Sequence, residues 1–498
     1  MDVFTNLAYG LGIAISPDNL LFCFVGALLG TLIGVLPGLG PTATVAMLLP
    51  VTFYLPPTGS LIMLAGIFYG AQYGGSSTAI LVRLPGEASS VVTCLDGYAM
   101  AQQGRAGAAL AVAALGSLFA GLTTAFVIAL AGPPLADIAV MFGPAEYVGL
   151  LTMGLIGAVV LASGSIPKAI AMVLLGLLLA CVGIDISTGE KRFTFEVTTL
   201  YDGIGFVPLA MGMFGLAEVV VSLEETGGRG QTTAQISRLW PSRTDFARAW
   251  PASLRGTILG ILLGILPGSG ATLASFASYA LEKKVSRRPE EFGRGAIEGL
   301  AGPESANNAA AQACFIPMLS LGVPPNAIMA LMIGAMMIQG IQPGPAVIAT
   351  QPALFWGMIA SMLIGNVTLV LLNLPLIGLW VRLLRVPYSV LFPIILVFCA
   401  IGTYSLNNSV FEVGLMAAFG VLGYVCRRLG CEVAPLMLGF VVGPMFEENL
   451  RRALLLSQGD PSVFVTRPIA AGMLGVSALL LLAALVPTLK RKRQVLRA

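Results

Sequence analysis

Two short stretches rich in glycine and proline contain residue types that could bind a small anion inside a membrane. The first reads GVLPGLGPT at residues 34–42 and the second reads GILPGSGAT at residues 264–272, a separation of 230 residues. Each follows an apolar run with glycine at every fourth position, which predicts a helix that breaks at Pro-Gly and then restarts. Paired broken helices in corresponding halves of a membrane protein indicate a transport site. The alternative is two glycine-lined packing faces with ordinary kinks.

A helix that restarts after such a break presents unpaired backbone N–H groups, and its dipole adds about half a positive charge there. Hydroxyl groups at Thr42, Thr44, Thr272 and Ser275 could add hydrogen-bond donors. Two such helix starts facing each other would hold a carboxylate without a buried cation. The predicted substrate contacts are Gly38, Gly40, Thr42, Thr44, Gly268, Gly270, Thr272, Asn307, Asn308 and Arg83. For the threonines, simple N-capping is the alternative role.

A second set of polar residues lies in apolar surroundings and could bind a coupling cation. Hydroxyl and amide oxygens at membrane depth coordinate Na⁺ or polar substrates, and acids at that depth are costly and usually functional. The predicted coupling residues are Ser76, Ser77, Thr78, Glu87, Asp96 and Glu304. Hydrogen bonding between helices is the alternative role for the neutral side chains. The acids at the edges of apolar segments, Asp137, Glu146 and Glu218, are predicted to face the membrane interface.

Arg83 lies within the apolar run 79–84, directly before a Pro-Gly-Glu sequence at 85–87. Its guanidinium group could pair with a substrate carboxylate or with Glu87. It could instead extend to the membrane interface, as long basic side chains often do.

The composition predicts that the elements carrying these residues cross a membrane. Of the 498 residues, 57% are hydrophobic and 10% are charged, with a mean hydropathy of +0.90. Soluble domains are about one quarter charged. Apolar runs that can cross a bilayer recur along the chain, so we predict an all-α polytopic membrane protein with about 10 to 13 transmembrane helices, some broken or re-entrant. The net charge of +3 gives no support to nucleic-acid binding.

Two segments stand out from this pattern. Residues 93–106 form the most polar stretch of the first half, and we predict that they lie at the membrane interface. Residues 295–325 are weakly apolar and rich in small side chains. We predict that this second segment is buried against protein rather than lipid.

Enzyme signatures are absent from the sequence. There is no histidine, and Gly268-Ser269-Gly270 does not complete a Gly-x-Ser-x-Gly elbow. The seven cysteines lack the paired spacing of metal ligands and are predicted to be packing residues. We therefore expect no catalytic residues, no cofactor and no metal apart from a coupling Na⁺.

The chain is predicted to consist of two related halves. We place an N-terminal repeat at 1–223, a polar linker at 224–251, and a C-terminal repeat with additional helices and a basic tail at 252–498. The sequence LPGEA at 84–88 corresponds to VPPNA at 323–327, and a cluster of small polar residues precedes each. We prefer an inverted arrangement, which puts both broken helices at the membrane midplane. The basic residues 490–493 place the C-terminus in the cytoplasm.

Several longer motifs resemble those of one known family. They are GVLPGLGPTAT at 34–44, LPGEASSVVTCLDGY at 84–98, GRAG at 104–107, the stretch 255–272, PEEFG at 289–293 and AGPESANNAA at 301–310. In order and length they resemble the large membrane subunit of a tripartite tricarboxylate transporter, the TctA family. The resemblance covers nearly the whole chain.

The resemblance implies more than the residues alone. Such subunits work in the bacterial inner membrane with a small integral membrane subunit and a periplasmic solute-binding protein, and they use an ion gradient rather than ATP. Their substrates are tricarboxylates, dicarboxylates or related acids. Two departures fall near the predicted site: Arg83 stands where a small polar residue is expected, and Pro325-Asn326 replaces Gly-Ser.

The predicted function is therefore secondary active import of an organic carboxylate by Na⁺ or H⁺ symport. Two other classes remain open at this point. An anion channel would conduct without a binding protein or a gradient, and a membrane scaffold would only dock partners.

Overall fold

The computed structural model of the protein describes residues 3–36, 40–162, 165–185, 188–225, 239–266, 270–383 and 388–495. The predicted helix breaks at Pro37-Gly38 and Pro267-Gly268, and with them the predicted site residues Gly38 and Gly268, lie outside the described residues.

Almost all of the described chain is helical, which confirms the all-α prediction. The α-helices are α1 Val3–Ala14, α2 Pro17–Gly34, α3 Pro41–Phe53, α4 Pro57–Val82, α5 Thr93–Met100, α6 Ala106–Val140, α7 Pro144–Leu161, α8 Ile166–Ala180, α9 Phe206–Ala210, α10 Ala217–Glu225, α11 Arg243–Gly264, α12 Gly270–Val285, α13 Glu298–Ala313, α14 Phe315–Leu321, α15 Ala327–Ile338, α16 Ala346–Thr350, α17 Pro352–Asn373, α18 Ile377–Leu383, α19 Tyr388–Asn407, α20 Val410–Arg428, α21 Ala434–Leu456, α22 Val463–Thr466 and α23 Pro468–Val495. Short 3₁₀ or π turns lie at Ala88–Val91, Ala101–Arg105, Thr198–Leu200, Met211–Leu216 and Pro289–Glu291. Two short strands, β1 Gly183–Ile184 and β2 Lys191–Arg192, pair antiparallel with Gly183 opposite Arg192.

Five helical segments in the described chain are long and apolar enough to cross a membrane. They are Pro17–Gly34, Thr93–Val140, Pro352–Asn373, Val410–Arg428 and Pro468–Leu485. Several shorter apolar helices accompany them, among them Pro41–Phe53 and Ala327–Ile338. The protein is thus a multi-pass membrane protein, and its half-length helices explain why the sequence leaves the number of crossings between about 10 and 13.

Proline sets several of the helix starts. Pro17, Pro41, Pro57 and Pro352 each occupy the first turn of a helix. Proline suits this position because its fixed φ is helical and the missing N–H would have no partner there. The sequence thus divides apolar runs into separate helices without charged loops.

The two glycine-rich helices pack in the same way on their neighbours. A Cβ atom added at Gly26, Gly30 or Gly34 of α2 would lie 2.3, 2.2 or 2.4 Å from the carbonyl oxygens of Met63, Ile67 and Ala71 in α4. At Gly256, Gly260 and Gly264 of α11 the corresponding distances are 2.2, 2.4 and 2.5 Å, to Gly302, Ala306 and Ala310 in α13. The absence of a side chain lets each helix pair approach backbone to backbone. The glycine-lined packing face is therefore real in both copies.

Helix α13 forms the interior of the second half. Every residue from Gly299 to Ala313 is buried, as predicted for the weakly apolar stretch 295–325. The predicted interfacial segment 93–106 differs: α5 continues through a π turn into the long helix α6, and Asp96 is fully buried. Protein hydrogen bonds to Asp96, described below, replace the water that an interfacial position would supply.

Each glycine-rich segment has one end that lies away from its predicted Pro-Gly break. These two ends lie near opposite ends of α6. At one end, Arg105 forms an ion pair of 2.6 Å with Asp245, next to the start of α11. Toward the other end, Gly132 packs on Phe355 of α17, and Gly357 in the same helix packs on Thr58 at the start of α4. Arg105 and Gly132 are 27 residues apart, which is about 40 Å along a helix.

Part of the predicted linker 224–251 is helical. Helix α11 begins at Arg243 because Ser242 is its N-cap and accepts a hydrogen bond from the Asp245 N–H at 3.1 Å. The predicted boundary at residue 251 therefore falls inside this helix. Residues 226–238 of the linker lie outside the described residues.

Candidate transport site

Both glycine- and proline-rich stretches reach one cavity of about 840 Å³, which we term the large cavity. Residues 40–42 line it from the first stretch and residues 270–272 from the second. The starts of α3 and α12 thus open into the same space. Each of the two helix N-termini adds partial positive charge to the wall of the cavity, which also carries the side chains of Arg427 and of three acids, Glu87, Glu218 and Glu432.

The start of α3 shows how backbone donors become available. Gly40 is the N-cap residue, in an extended conformation with no side-chain cap, and Pro41 occupies the first turn and has no N–H. The N–H groups of Thr42 and Ala43 lie before the intrahelical hydrogen bonds begin. Thr42 lines the large cavity, whereas the buried Thr44 hydroxyl donates to the Gly40 carbonyl at 3.0 Å. Neither threonine is the N-cap.

The start of α12 also brings one hydroxyl group to the cavity. Thr272 lines the large cavity, and the buried Ser275 hydroxyl donates to the Pro303 carbonyl oxygen at 3.4 Å. The structure therefore brings one of the two predicted hydroxyl groups from each stretch to the cavity. The other one in each stretch stabilises the backbone.

Glycines hold the Pro-Gly-Glu turn against the start of α3. A Cβ atom at Gly86 would lie 2.3 Å from the Gly75 Cα in α4, so the turn and the helix touch through their backbones. A Cβ atom at Gly40 would lie 3.2 Å from the Gly86 carbonyl oxygen. This close packing brings Pro85, Gly86 and Glu87 to the wall of the large cavity.

Glu87 connects the large cavity to α13. Its Oε1 accepts a hydrogen bond of 2.9 Å from Asn307 Nδ2, and Asn307 is itself buried. The Asn307 Oδ1 has no hydrogen-bond partner among the described residues. Asn307 is thus placed behind Glu87 rather than on the cavity lining.

Glu304 lies three residues before Asn307 on the same helix, beside a second cavity of about 20 Å³, which we term the small cavity. The Glu304 carboxylate is buried and accepts hydrogen bonds from Ser76 Oγ at 2.8 Å and from the Thr93 hydroxyl. Ser76 and Ser77 line the small cavity together with Glu304. Three of the predicted coupling residues therefore meet at one place.

Two further predicted residues have structural partners. Asn308 Nδ2 donates to Ser117 Oγ at 2.7 Å and to the Glu304 carbonyl oxygen at 3.1 Å. The Thr78 hydroxyl donates to the carbonyl oxygens of Val35 and Gly74 at 2.9 and 3.0 Å. These bonds fit the alternative role of hydrogen bonding between and within helices.

Asp96 lies apart from both cavity linings. Its Oδ1 accepts backbone N–H bonds of 2.9, 2.8 and 2.8 Å from Gly293, Gly295 and Ala296, and its Oδ2 accepts a 3.0 Å bond from the Tyr279 hydroxyl. Four donors satisfy this buried carboxylate, which anchors the loop before α13. Its position indicates a structural role.

The charged loop beside Asp96 connects α12 to α13, and Arg248 of α11 forms ion pairs with this loop and with α13. Arg248 donates to Glu291 at 2.5 Å and to Glu298 at 2.7 Å. The hydrogen bond from Arg248 lowers the pKa of Glu291. This network fixes the outer end of the second glycine-rich segment.

Arg83 also lies outside both linings. It is exposed, it ends α4 in the left-handed conformation with φ 60°, and its guanidinium carbon is 5.7 Å from the centroid of the Tyr98 ring. The exposed position fits the interface alternative for this residue.

Several polar and charged residues of the two cavity linings are absent from the site that the sequence predicts. Arg427 forms an ion pair with Glu218, and both line the large cavity. Asn373 lines the small cavity. Arg427 and Glu218 lie at ends of apolar segments, where charges usually face the interface, and only the packing of α10 on α20 brings them together. A lone asparagine in an apolar run gives no signal of its own.

A helical multi-pass protein with a polar cavity between two helix starts has the architecture of a membrane transport component. Comparison with known families agrees with this interpretation. Residues 20–438 match the family described as "Tripartite tricarboxylate transporter TctA family", and the chain belongs to this family. It is therefore one subunit of a tripartite transporter.

Two relatives from Agrobacterium vitis are similar along their whole length. One, named "Uncharacterized 52.8 kDa protein in TAR-I ttuC' 3'region", is 57% identical over 493 residues, which cover 99% of this chain and 98% of that protein. The other, named "Uncharacterized protein in TAR-II ttuC' 3'region", is 61% identical over 234 residues, or 47% of this chain and 97% of that protein. No solved structure matches the chain.

Proposed function

We propose that this chain is the substrate-conducting subunit of a secondary transporter that imports an organic carboxylate by Na⁺ or H⁺ symport. The observation that carries the proposal is the large cavity, because the starts of α3 and α12 both open into it. Helix N-termini favour anions through their unpaired N–H groups and dipoles. A tricarboxylate, a dicarboxylate or a related acid fits this chemistry.

The substrate carboxylates bind between the two helix starts, where Thr42 and Thr272 add hydroxyl donors. Arg427 supplies the positive side chain and is the one Lys or Arg among the described residues that line the large cavity. A substrate carboxylate competes with Glu218 for this guanidinium group. Arginine suits the task because its planar fork can donate two parallel hydrogen bonds to a carboxylate.

The cation binds beside α13, which carries Glu304 and contacts Glu87 through the hydrogen bond from Asn307. Neither acid forms an ion pair with a described residue, although both are hydrogen-bonded to neutral side chains. Unpaired acids in a membrane protein are candidate carriers of a coupling ion. Of the other predicted coupling residues, Ser76 and Ser77 adjoin Glu304, whereas Thr78 and Asp96 support the backbone.

The two halves act as inverted repeats. The opposite orientation of the two glycine-rich segments along α6 supports this arrangement, as does their shared access to the large cavity. In transporters of this kind, alternating access arises from movement of one repeat or bundle against the other around a fixed site.

The chain works in a bacterial inner membrane with its C-terminal tail, residues 490–493, in the cytoplasm. The basic composition of the tail supports this orientation. The family description supports two partners, which we take to be a small integral membrane subunit and a periplasmic solute-binding protein. The binding protein delivers the carboxylate, and membrane lipid surrounds the helices.

Carboxylate counterflow in proteoliposomes tests the function. We expect uptake of labelled citrate or a dicarboxylate by the complete three-component system, with acceleration by an inward Na⁺ or H⁺ gradient. Conduction that needs neither the binding protein nor a gradient would identify an anion channel. A complete lack of flux for every carboxylate, with all three components assembled, would favour a scaffold.

A further inference from the structure

Half of the residues that line the small cavity have side chains that carry oxygen. Its volume of about 20 Å³ is lined by Tyr73, Ser76, Ser77, Ser117, Glu304 and Asn373, among apolar neighbours. A space of this size holds about one water-sized particle. It can therefore take a dehydrated ion but not a hydrated one.

Two of these oxygens lack protein partners. Asn373 is buried, and its Nδ2 donates to the Leu369 carbonyl oxygen at 2.9 Å, which leaves Oδ1 with no hydrogen bond. The Ser77 hydroxyl likewise has no hydrogen bond among the described residues. An amide oxygen can only accept, so its burial is costly unless a donor or a cation occupies the cavity.

The charge of the cavity selects the ion. Glu304 is the one acid among the described residues that line it, and none of them is Lys or Arg. A monovalent cation would neutralise this carboxylate, whereas a divalent cation would leave a net buried charge at high cost. A proton would neutralise Glu304 too, but it would leave Asn373 Oδ1 unpaired.

We propose that the small cavity binds one dehydrated Na⁺, with Glu304 as the charged ligand and Ser76, Ser77 and Asn373 as neutral oxygen ligands. The site rests on the proposed symport function and names its coupling ion. It brings together α4, α13 and α17, so ion binding draws the two halves together. Asn307, three residues from Glu304 on α13, links the ion to Glu87 on the large cavity.

The test measures Na⁺ binding to the purified full chain in detergent, without substrate or partner subunits. Thermal stability is followed during an NaCl titration with choline chloride as the balancing salt. We expect Na⁺ to raise the Tm of the wild type and KCl to raise it less. Ser77→Ala removes a hydroxyl that bonds to no described residue, and it should raise the half-effective Na⁺ concentration about tenfold.

Asn373→Ala should weaken Na⁺ binding at least as much, and Glu304→Gln should abolish it. Ser278→Ala is the matched control, because Ser278 has a buried hydroxyl without a partner that lies outside the small cavity. It should leave the Na⁺ dependence unchanged.

A wild-type Tm that does not respond to Na⁺ would overturn the site, as would equal shifts for Ser77→Ala and Ser278→Ala. Carboxylate uptake driven only by a pH gradient would overturn it too and would leave Glu304 as a proton carrier. The Na⁺-dependent Tm and the uptake assay together separate the Na⁺ site from the transport function. A chain that binds Na⁺ but moves no carboxylate would contradict the transport function alone.

Discussion

The two glycine-rich segments share a backbone design but differ in their chemistry. In both, three glycines face the carbonyl oxygens of a neighbouring helix, and that helix or its continuation ends in the left-handed conformation, at Arg83 in one half and Gly322 in the other. Glu87 and Asn326, four residues later, both have extended N-cap conformations, with φ −152° in each case. The glycines correspond at a separation of 230 residues, whereas the residues whose carbonyls they face, the left-handed residues and the N-caps correspond at a separation of 239.

The acids do not follow this correspondence. Glu87 of the first half has the neutral Asn326 as its counterpart, and Glu304 of the second half has Ala65. Glu304 lies on α13, and Glu87 accepts a hydrogen bond from Asn307 on the same helix. One acid from each half is therefore held at the same stretch of α13. A duplicated scaffold with a single pair of acids yields one coupling region rather than two, as ion-coupled transport through a shared site requires.

The largest expected effect concerns the shared packing. Gly30→Ala and Gly260→Ala would each force a methyl group to within about 2.4 Å of a carbonyl oxygen, so each should destabilise the protein by about 2–3 kcal/mol. Thermal unfolding in detergent would show a lower Tm for both. Gly12→Ala is the control, because no atom lies within 4 Å of its added Cβ. A large loss in only one half would break the equivalence of the two segments.

Arg427 and Glu218 give the next largest effect. Arg427→Gln should raise the KM for uptake roughly 30-fold, since a hydrogen bond to a charged group contributes about 2 kcal/mol. Glu218→Gln should lower the KM, because it removes the carboxylate that pairs with the guanidinium group in the structure. Arg427→Gln leaves the Glu218 carboxylate without its ion-pair partner, and the double variant with Arg427→Gln and Glu218→Gln controls for this effect. If both single variants raise the KM equally, the ion pair is structural.

The two cavity threonines should contribute less and in similar amounts. Thr42→Ala and Thr272→Ala each remove one hydroxyl donor worth about 1 kcal/mol, so each should raise the KM about fivefold. Thr44→Ala serves as the comparison, since Thr44 bonds to the backbone and lies off the cavity lining. Concentration-dependent uptake of a labelled carboxylate measures all three. An effect of Thr42→Ala without one of Thr272→Ala would place the substrate on the first half alone.

The sequence predicts the scaffold well because the scaffold depends on local signals. Glycine spacing, proline positions and apolar length determine α2, α3, α11 and α12, and the repeated Pro turns correspond as expected. The polar clusters are a different matter. Residues 74–78 and 305–308 look equivalent in sequence. The packing of the glycines, however, aligns α4 with α13 at a separation of 239 residues, so 305–308 corresponds to 66–69.

Long-range contacts explain what the sequence leaves out. Asp96 looks like an unpaired acid until the loop at 293–296 supplies three N–H donors. Asn373 becomes part of a site only because α17 packs on α4. Such pairings depend on tertiary structure, and no residue pattern within one segment encodes them.

Arg83 provides the smallest effect and the most direct contrast between the halves. Arg83→Gly would put in the first half the residue type that the second half has at Gly322, where φ is 72°. A left-handed conformation costs a residue with a side chain about 1–2 kcal/mol, and the lost contact with Tyr98 offsets part of this gain. We expect the Tm to rise by about 1–4 °C and uptake to stay unchanged. Gly322→Ala is the reverse change and should lower the Tm, because its Cβ would lie 2.8 Å from the Pro343 carbonyl oxygen. Loss of uptake in a folded Arg83→Gly variant would instead assign the guanidinium group to the substrate.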